Sequence, residues 1–365
     1  MSSLDAPRFW ADGQFWRRQT FNRDNCPFMH GNDHKLSDLP LQVLYARRRI
    51  APYVRRTPLV ESSWLTNLTG ARVRLKLEST QVSNSFKSRG AFNAVLARIE
   101  RLGKPPIQLV TASAGNHGLA LAAAAATFGI PLVVYTPSNA PTSKVAPISK
   151  YGAQLRAEAR GYEEAERLAK EFAADGGGEF ISPYNDADVI AGAGTIALEL
   201  LEDEPGIEVM VVPIGGGGLI SGMAAMAKAL NPAIEVVGIE AEASCPFLTS
   251  RRLGRLERIV PKPTLADGLA GNPDPDTITF SLIQRSVDRI VTVNEGQLAD
   301  AIFGLIESEH VIAEGAGAAG VAALVGRRVD VAGRNVAVVV SGANIDRGPL
   351  ESILDSAPRA QPGSP

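Results

Sequence analysis

The chain has 365 residues, 45% of them hydrophobic and 21% charged, enough for two domains with their own cores. A formal net charge of -2 gives no footing for nucleic acid or an anionic membrane. Cys26 and Cys245 suggest no disulfide framework, and His30, His34, His117 and His310 form no zinc pattern, so no metal is expected.

Residues 1–39 are polar and dotted with aromatics, and read as an N-terminal extension: a disordered leader, an arm that wraps a neighbouring subunit, or a stretch upstream of a start at Met29. They hold no apolar segment ending in a small-residue cleavage site, which points to a cytoplasmic protein. Regular pattern starts at Pro40, with Leu41, Val43, Leu44 and Ile50 in a helix ending before Pro52. Residues 55–58 read as a turn and 73–77 (VRLKL) as a strand. The stretch ESTQVSNSFKSRGAFNA (78–94) then leads into a helix. Its apolar positions Phe92, Val95, Leu96 and Ile99 fall on one face, Ser85 is the expected N-cap and Gly103 the stop. Lys87 therefore sits in the first turn, where the helix dipole opposes a cation. Arg89 beside it is expected to disfavour the ammonium further. An amine made easier to deprotonate can attack a carbonyl and hold it as a Schiff base. A lone lysine is otherwise a solvated surface group, so the rest of the chain must decide.

From residue 108 onward, strand and helix alternate. Strands are expected at 108–111, 132–135, 154–157, 180–182, 209–214, 236–240, 289–293 and 336–340. Helices fall between them, residues 241–272 are less regular, and 357–365 read as a frayed tail. The apolar run 119–135 is broken by Gly129 and Pro131, so it is a buried helix, turn and strand rather than a membrane span. This is an α/β pattern of doubly wound, mostly parallel sheets. We expect a large domain from 40–107 plus 186–356 and a small one from 108–185. In such folds ligands bind beyond the C-terminal strand ends.

Three motifs stand at such ends. VVPIGGGGLISG (211–222) is a strand, four glycines and a helix. Gly215, Gly216, Gly217 and Gly218 leave amides unshielded, and at a helix N-terminus those amides make an anion cradle for phosphate. A tight turn alone would need one glycine. The loop is neither G-x-G-x-x-G nor a P-loop, which counts against a nicotinamide-dependent dehydrogenase and against a nucleoside triphosphate. TASAGNHG (111–118) would bring Ser113, Asn116 and His117 into one crevice, suited to a carboxylate or a phenolic oxygen. VVVSGANID (338–346) places Ser341 just past the last strand, where it either caps a turn or receives a heteroaromatic nitrogen. A cofactor carrying an aldehyde, a phosphate and a ring nitrogen fits all these pieces, and that is pyridoxal 5'-phosphate.

SNSFKSRGA, SAGNHG, GGGGL and SGAN, in that order, resemble the threonine/serine dehydratase (ammonia-lyase) family, whose members use pyridoxal phosphate and have the tryptophan-synthase-β-like fold. The resemblance implies that Lys87 is the Schiff-base lysine and proton carrier, and that Gly215–Gly218 hold the phosphate with Leu219 starting the helix behind. It gives Asn116 the ring oxygen, Ser341 the pyridine nitrogen, and places Phe86 and Glu314 near the ring. Ser113, Asn116 and His117 would receive the substrate carboxylate. The implied reaction removes water and then ammonia from L-threonine or L-serine, leaving a 2-oxo acid. A homodimer or larger homo-oligomer is implied too.

Departures narrow this. Racemases of the family carry a second serine where this chain has Ala114, so serine racemase is a minor alternative. Some relatives bind a divalent cation through a Glu and an Asp; Glu240 is present, but Pro246 stands where the Asp is expected, so no such site is expected. The same chemistry on 3-hydroxyaspartate, phenylserine or an osmolyte-derived amino acid stays open. A non-catalytic cofactor-binding protein is disfavoured by the intact Lys87, Asn116 and Ser341.

Overall fold

The computed structural model describes residues 38–356. The expectations for the tail 357–365 and for the extension up to residue 37 fall outside the described residues. Helix α1 (Leu39–Ile50) buries Leu39, Val43, Ala46 and Ile50, one face at helical spacing, with a proline in its first turn. Strand β1 (Leu59–Glu61), helix α2 (Ser63–Thr69) and strand β2 (Arg72–Leu77) follow. The first two were not expected. β1 is short and pairs antiparallel to β2, and α2 is defined by its ends, the Ser62 hydroxyl accepting from the Leu65 amide and Gly70 at φ 69°. A seven-residue helix is too short to show a period.

Next come α3 (Lys87–Leu102), β3 (Leu109–Ala112), α4 (Asn116–Thr127), β4 (Leu132–Pro137), α5 (Thr142–Lys150), β5 (Gln154–Ala159), α6 (Tyr162–Phe172) and β6 (Glu179–Phe180). The chain then runs through α7 (Ala187–Asp203), β7 (Val209–Pro213), α8 (Gly218–Leu230), β8 (Glu235–Ala241) and α9 (Pro246–Leu253). It ends with α10 (Ile278–Ser286), β9 (Arg289–Val293), α11 (Glu295–Glu309), α12 (Gly315–Val325), β10 (Asn335–Val340) and α13 (Arg347–Ser356). α9 lies within the stretch expected to be less regular, and α13 was not expected.

The strands form two sheets, one of six in the order β1-β2-β10-β7-β8-β9 and one of four in the order β5-β4-β3-β6. Only β1 is antiparallel among these described pairings. β10 shows why the sequence folds this way. Val336, Val338 and Val340 face the core shared with α11 and α12, while Ala337 and Val339 face the core shared with α1, α7 and α8. A strand buried on both faces must be apolar at every position, which VAVVV is. Each such valine contributes about 1.5–3 kcal/mol of burial. The four-stranded sheet is covered by α3 and α4 on one face and by α6 on the other. α3 meets α7 through glycines: a Cβ on Gly90 would stand 2.8 Å from the Val189 carbonyl oxygen. Among the described residues no helix is long and apolar enough to cross a membrane.

Candidate active site

Strand order reverses between β10 and β7 in the large sheet, and between β3 and β6 in the small one. The segments leaving β7, β10 and β3 turn into one cavity of about 700 Å³. Lys87 and Phe86 enter it from the loop after β2, Ser113, Asn116 and His117 from the end of β3, and Gly215–Leu219 from the end of β7. Ser341, just past β10, and Glu314, just before α12, complete the set, so every site residue expected from the sequence lines this one cavity.

The Lys87 amine donates to the Pro183 carbonyl at 2.8 Å and stands 5.1 Å from the centre of the Phe86 ring. Its pKa is pushed down to about 8 by burial, against the opposing pull of the Glu314 carboxylate. Two expectations about this turn need correction. Ser85 is not the cap: Phe86 occupies the N-cap position without a side-chain bond, and the Ser85 hydroxyl is buried with no partner. Nor does Arg89 act on Lys87. Its guanidinium is fully buried and bonded to Glu78 and Glu199 at 2.7–2.9 Å, which neutralises it.

At the other end, α8 starts from Gly217, at φ 88°. Among the described residues no hydrogen bond takes up the amides of Gly215, Gly216 or Gly217. Glycine is required here for packing as well, because a Cβ on Gly216 would lie inside the Tyr184 ring. No pattern in the sequence points to Tyr184, which lies in an irregular segment.

Ser341 is 5% exposed, and its hydroxyl has one long contact, 3.4 Å to the Ala316 carbonyl. His117 is buried with both ring nitrogens unpartnered, and burial, then the Lys87 charge, push its pKa down to about 3, so it is neutral. The Ser113 hydroxyl accepts from the Gly115 amide at 3.3 Å and keeps its own proton to donate. The Asn116 amide donates to Glu314 at 2.6 Å, and burial raises the Glu314 pKa to about 7. Asn344, quoted in the SGAN motif without a role, lines the cavity and bonds Asn116 at 2.6 Å.

No group of three His, Cys, Asp or Glu suited to a metal occurs among the described residues. Glu240 has both carboxylate oxygens engaged by the amides of Phe247 and Leu248, at 2.9 and 2.8 Å. It serves as a cap for α9, whose first residue is Pro246.

Free amides at a helix N-terminus, an under-bonded buried hydroxyl and an amine of lowered pKa share one cavity. They fit the phosphate, ring nitrogen and aldehyde of a single small cofactor, which defines a lysine-dependent α/β enzyme. The chain belongs to the family described as "Pyridoxal-phosphate dependent enzyme", which matches residues 50–342. It is 45% identical over 310 residues to an L-threonine ammonia-lyase of Thermotoga maritima, covering 85% of this chain and 76% of that one. It is 36% identical over 304 residues to an L-threo-3-hydroxyaspartate ammonia-lyase of Saccharomyces cerevisiae, covering 83% and 92%. The solved structure of maize serine racemase superposes with a TM-score of 0.79 at 34% identity, over 86% of this chain and 96% of that one. The fold is tryptophan-synthase-β-like, and pyridoxal phosphate is the cofactor.

Proposed function

We propose that the protein is an ammonia-lyase that removes water and then ammonia from L-threonine or L-serine to give a 2-oxo acid. Lys87 would anchor the cofactor and, once released, carry the proton at the substrate Cα. Gly215–Gly218 and the start of α8 at Leu219 would hold the phosphate, Ser341 the pyridine nitrogen and Asn116 the ring oxygen. Phe86 and Glu314 would flank the ring. Ser113, Asn116 and neutral His117 would receive the substrate carboxylate. When bound, the cofactor supplies an electron sink for breaking bonds at Cα. A hydroxyl partner at Ser341, rather than a carboxylate, favours a weakly withdrawing ring and prompt loss of the β-hydroxyl.

The observation that carries the substrate is the state of the cavity's cations. Besides Lys87, the lining holds Lys144, paired with Asp267, and Arg347, bonded to Glu351. Among the described residues the lining holds no further buried, unpaired cation to receive a second substrate carboxylate, Arg347 being solvent-exposed at the rim, which favours threonine and serine over 3-hydroxyaspartate. Ala114 brings a methyl where a second proton carrier would be needed, which disfavours a racemase. The reading includes a cytoplasmic homodimer or larger oligomer, built from a large domain (40–107 plus 186–356) and a small one (108–185).

The test is 2-oxo acid release from L-threonine, L-serine, 3-hydroxyaspartate and phenylserine by wild type and Lys87→Ala. Release from threonine or serine that disappears in the variant is the expected result. Turnover confined to 3-hydroxyaspartate would overturn the substrate assignment, and D-serine in place of 2-oxo acid would overturn the lyase.

A further inference from the structure

An amide side chain has two ends of nearly the same shape and opposite chemistry, one accepting and one donating. Which end faces a cofactor therefore depends on what fixes the amide. For Asn116 the fixing chain can be traced to a group with no such ambiguity. The Ser83 main-chain carbonyl can only accept, and it stands 2.9 Å from one end of the Asn344 amide. That end must be the Asn344 NH₂. The same NH₂ lies 2.6 Å from the Asn116 amide, so the atom facing it must be the Asn116 oxygen. The Asn116 NH₂ is then turned to Glu314, 2.6 Å away, and one N–H is left without an acceptor among the described residues. Reversing Asn116 would set its NH₂ against the Asn344 NH₂ and its oxygen against the Glu314 carboxylate.

We propose that Asn344 is a positioning residue: by donating to both Ser83 and Asn116 it fixes the direction of the Asn116 amide, so that Asn116 offers an N–H rather than an oxygen to the cofactor's ring oxygen. The proposal rests on the assignment of Asn116 to that oxygen. It adds a residue that joins the three loops bearing SNSFK, SAGNHG and SGAN. Position 344 itself does not depend on its side chain, because the main chain already joins the SNSFK and SGAN loops. Phe86 donates to the Ser341 carbonyl at 3.0 Å, Ala343 to the Asn84 carbonyl at 2.9 Å, and Ser85 bridges Gly342. The Asn344 oxygen adds one long bond, 3.3 Å from the Asn84 amide.

The test compares Asn344→Asp and Asn344→Ala in the holoenzyme. Its readouts are the pH titration of the bound cofactor's absorbance, cofactor affinity, kcat, KM and the thermal midpoint. Asp keeps the shape and replaces the donor by an acceptor, while Ala leaves a gap and lets Asn116 choose. The proposal expects Asn344→Asp to move the absorbance midpoint and lower kcat by about ten- to hundredfold, with KM within about threefold. Asn344→Ala should do less. A packing role expects the reverse order, since Ala removes volume and Asp does not, and that order overturns the proposal.

Asn116→Ala separates the layers. If it moves the absorbance titration and Asn344→Asp does not, Asn344 is wrong and Asn116 stands; if neither moves it, the assignment of Asn116 falls first. Asn84→Gly, which keeps the positive φ of 56° at that position, should leave the titration in place. A shift equal to that of Asn344→Asp would mean loop loosening and overturn the proposal. Should Asn344→Asp not fold, Asn344→Leu replaces it. Equal shifts from Leu and Ala support the amide role, and a shift from Ala alone overturns it.

Discussion

Lys87 and Arg89 lie two residues apart on the first turn of α3, Arg89 fully buried and Lys87 half-buried in the cavity wall. Their surroundings differ in kind. Arg89 meets Glu78 and Glu199, and Lys76 joins Glu199 at 3.0 Å and the Thr57 carbonyl at 2.8 Å, so two cations and two carboxylates close on themselves. Burial alone would raise the Glu199 pKa, but its bonds to Arg89 and Lys76 hold it below the usual range. Lys87 has one carbonyl and a distant carboxylate, and its pKa drops to about 8. A buried charge with partners becomes structure; a buried amine without them becomes reactive. The arginine cluster ties α3 to β2 and α7, which holds the lysine still while leaving its amine unsatisfied.

The largest effect should come from breaking the closed cluster. Arg89→Met leaves Glu78 and Glu199 facing each other with Lys76 alone, and removing one member of a buried ion group costs about 3–5 kcal/mol. Urea unfolding of the cofactor-loaded enzyme measures it. A loss below about 1 kcal/mol would mean that water reaches the cluster, and the contrast with Lys87 would collapse. The spectrum of whatever folded fraction remains should keep its cofactor band, because Arg89 makes no contact with the cavity.

A second effect concerns the lysine alone. The apoprotein takes up the cofactor through a neutral amine, and below the pKa the neutral fraction falls tenfold per pH unit. With the Lys87 pKa at about 8, uptake should rise with pH and level off near 8. An ordinary lysine would keep climbing toward pH 10.5. A rise continuing past pH 9 would show that burial does not set the amine's state.

Much of this site was legible in the sequence because its parts depend on local grammar. A strand, a cluster of small residues and a helix start place backbone amides at a strand end whatever surrounds them, and that holds for GGGGL and SAGNHG alike. What escaped was set by contacts distant in sequence. Arg89 reads as a neighbour of Lys87 until Glu199, 110 residues on, is seen to hold it. Tyr184 closes over Gly216 from an irregular segment, and Asn344 reaches Asn116 across 228 residues. β1 was missed because three residues cannot display a period of two against noise.

The smallest effect sharpens the contrast from its uncharged side. Ser85 was the natural choice for the α3 cap, and capping serines typically contribute about 1 kcal/mol. In the structure its hydroxyl is buried and bonds nothing, since the chain enters the helix through Phe86 in a helical conformation rather than the extended one a capping serine needs. A buried hydroxyl without a partner carries a desolvation cost, so Ser85→Ala should be neutral or stabilising by up to about 1 kcal/mol. Three polar side chains at positions 85, 87 and 89 would then give three outcomes on burial: a hydroxyl dispensable to the fold, an amine tuned for chemistry, and a guanidinium the fold cannot lose. Equilibrium unfolding of Ser85→Ala decides the first. A loss of about 1 kcal/mol or more would return Ser85 to the role of cap and place a bound partner on its hydroxyl.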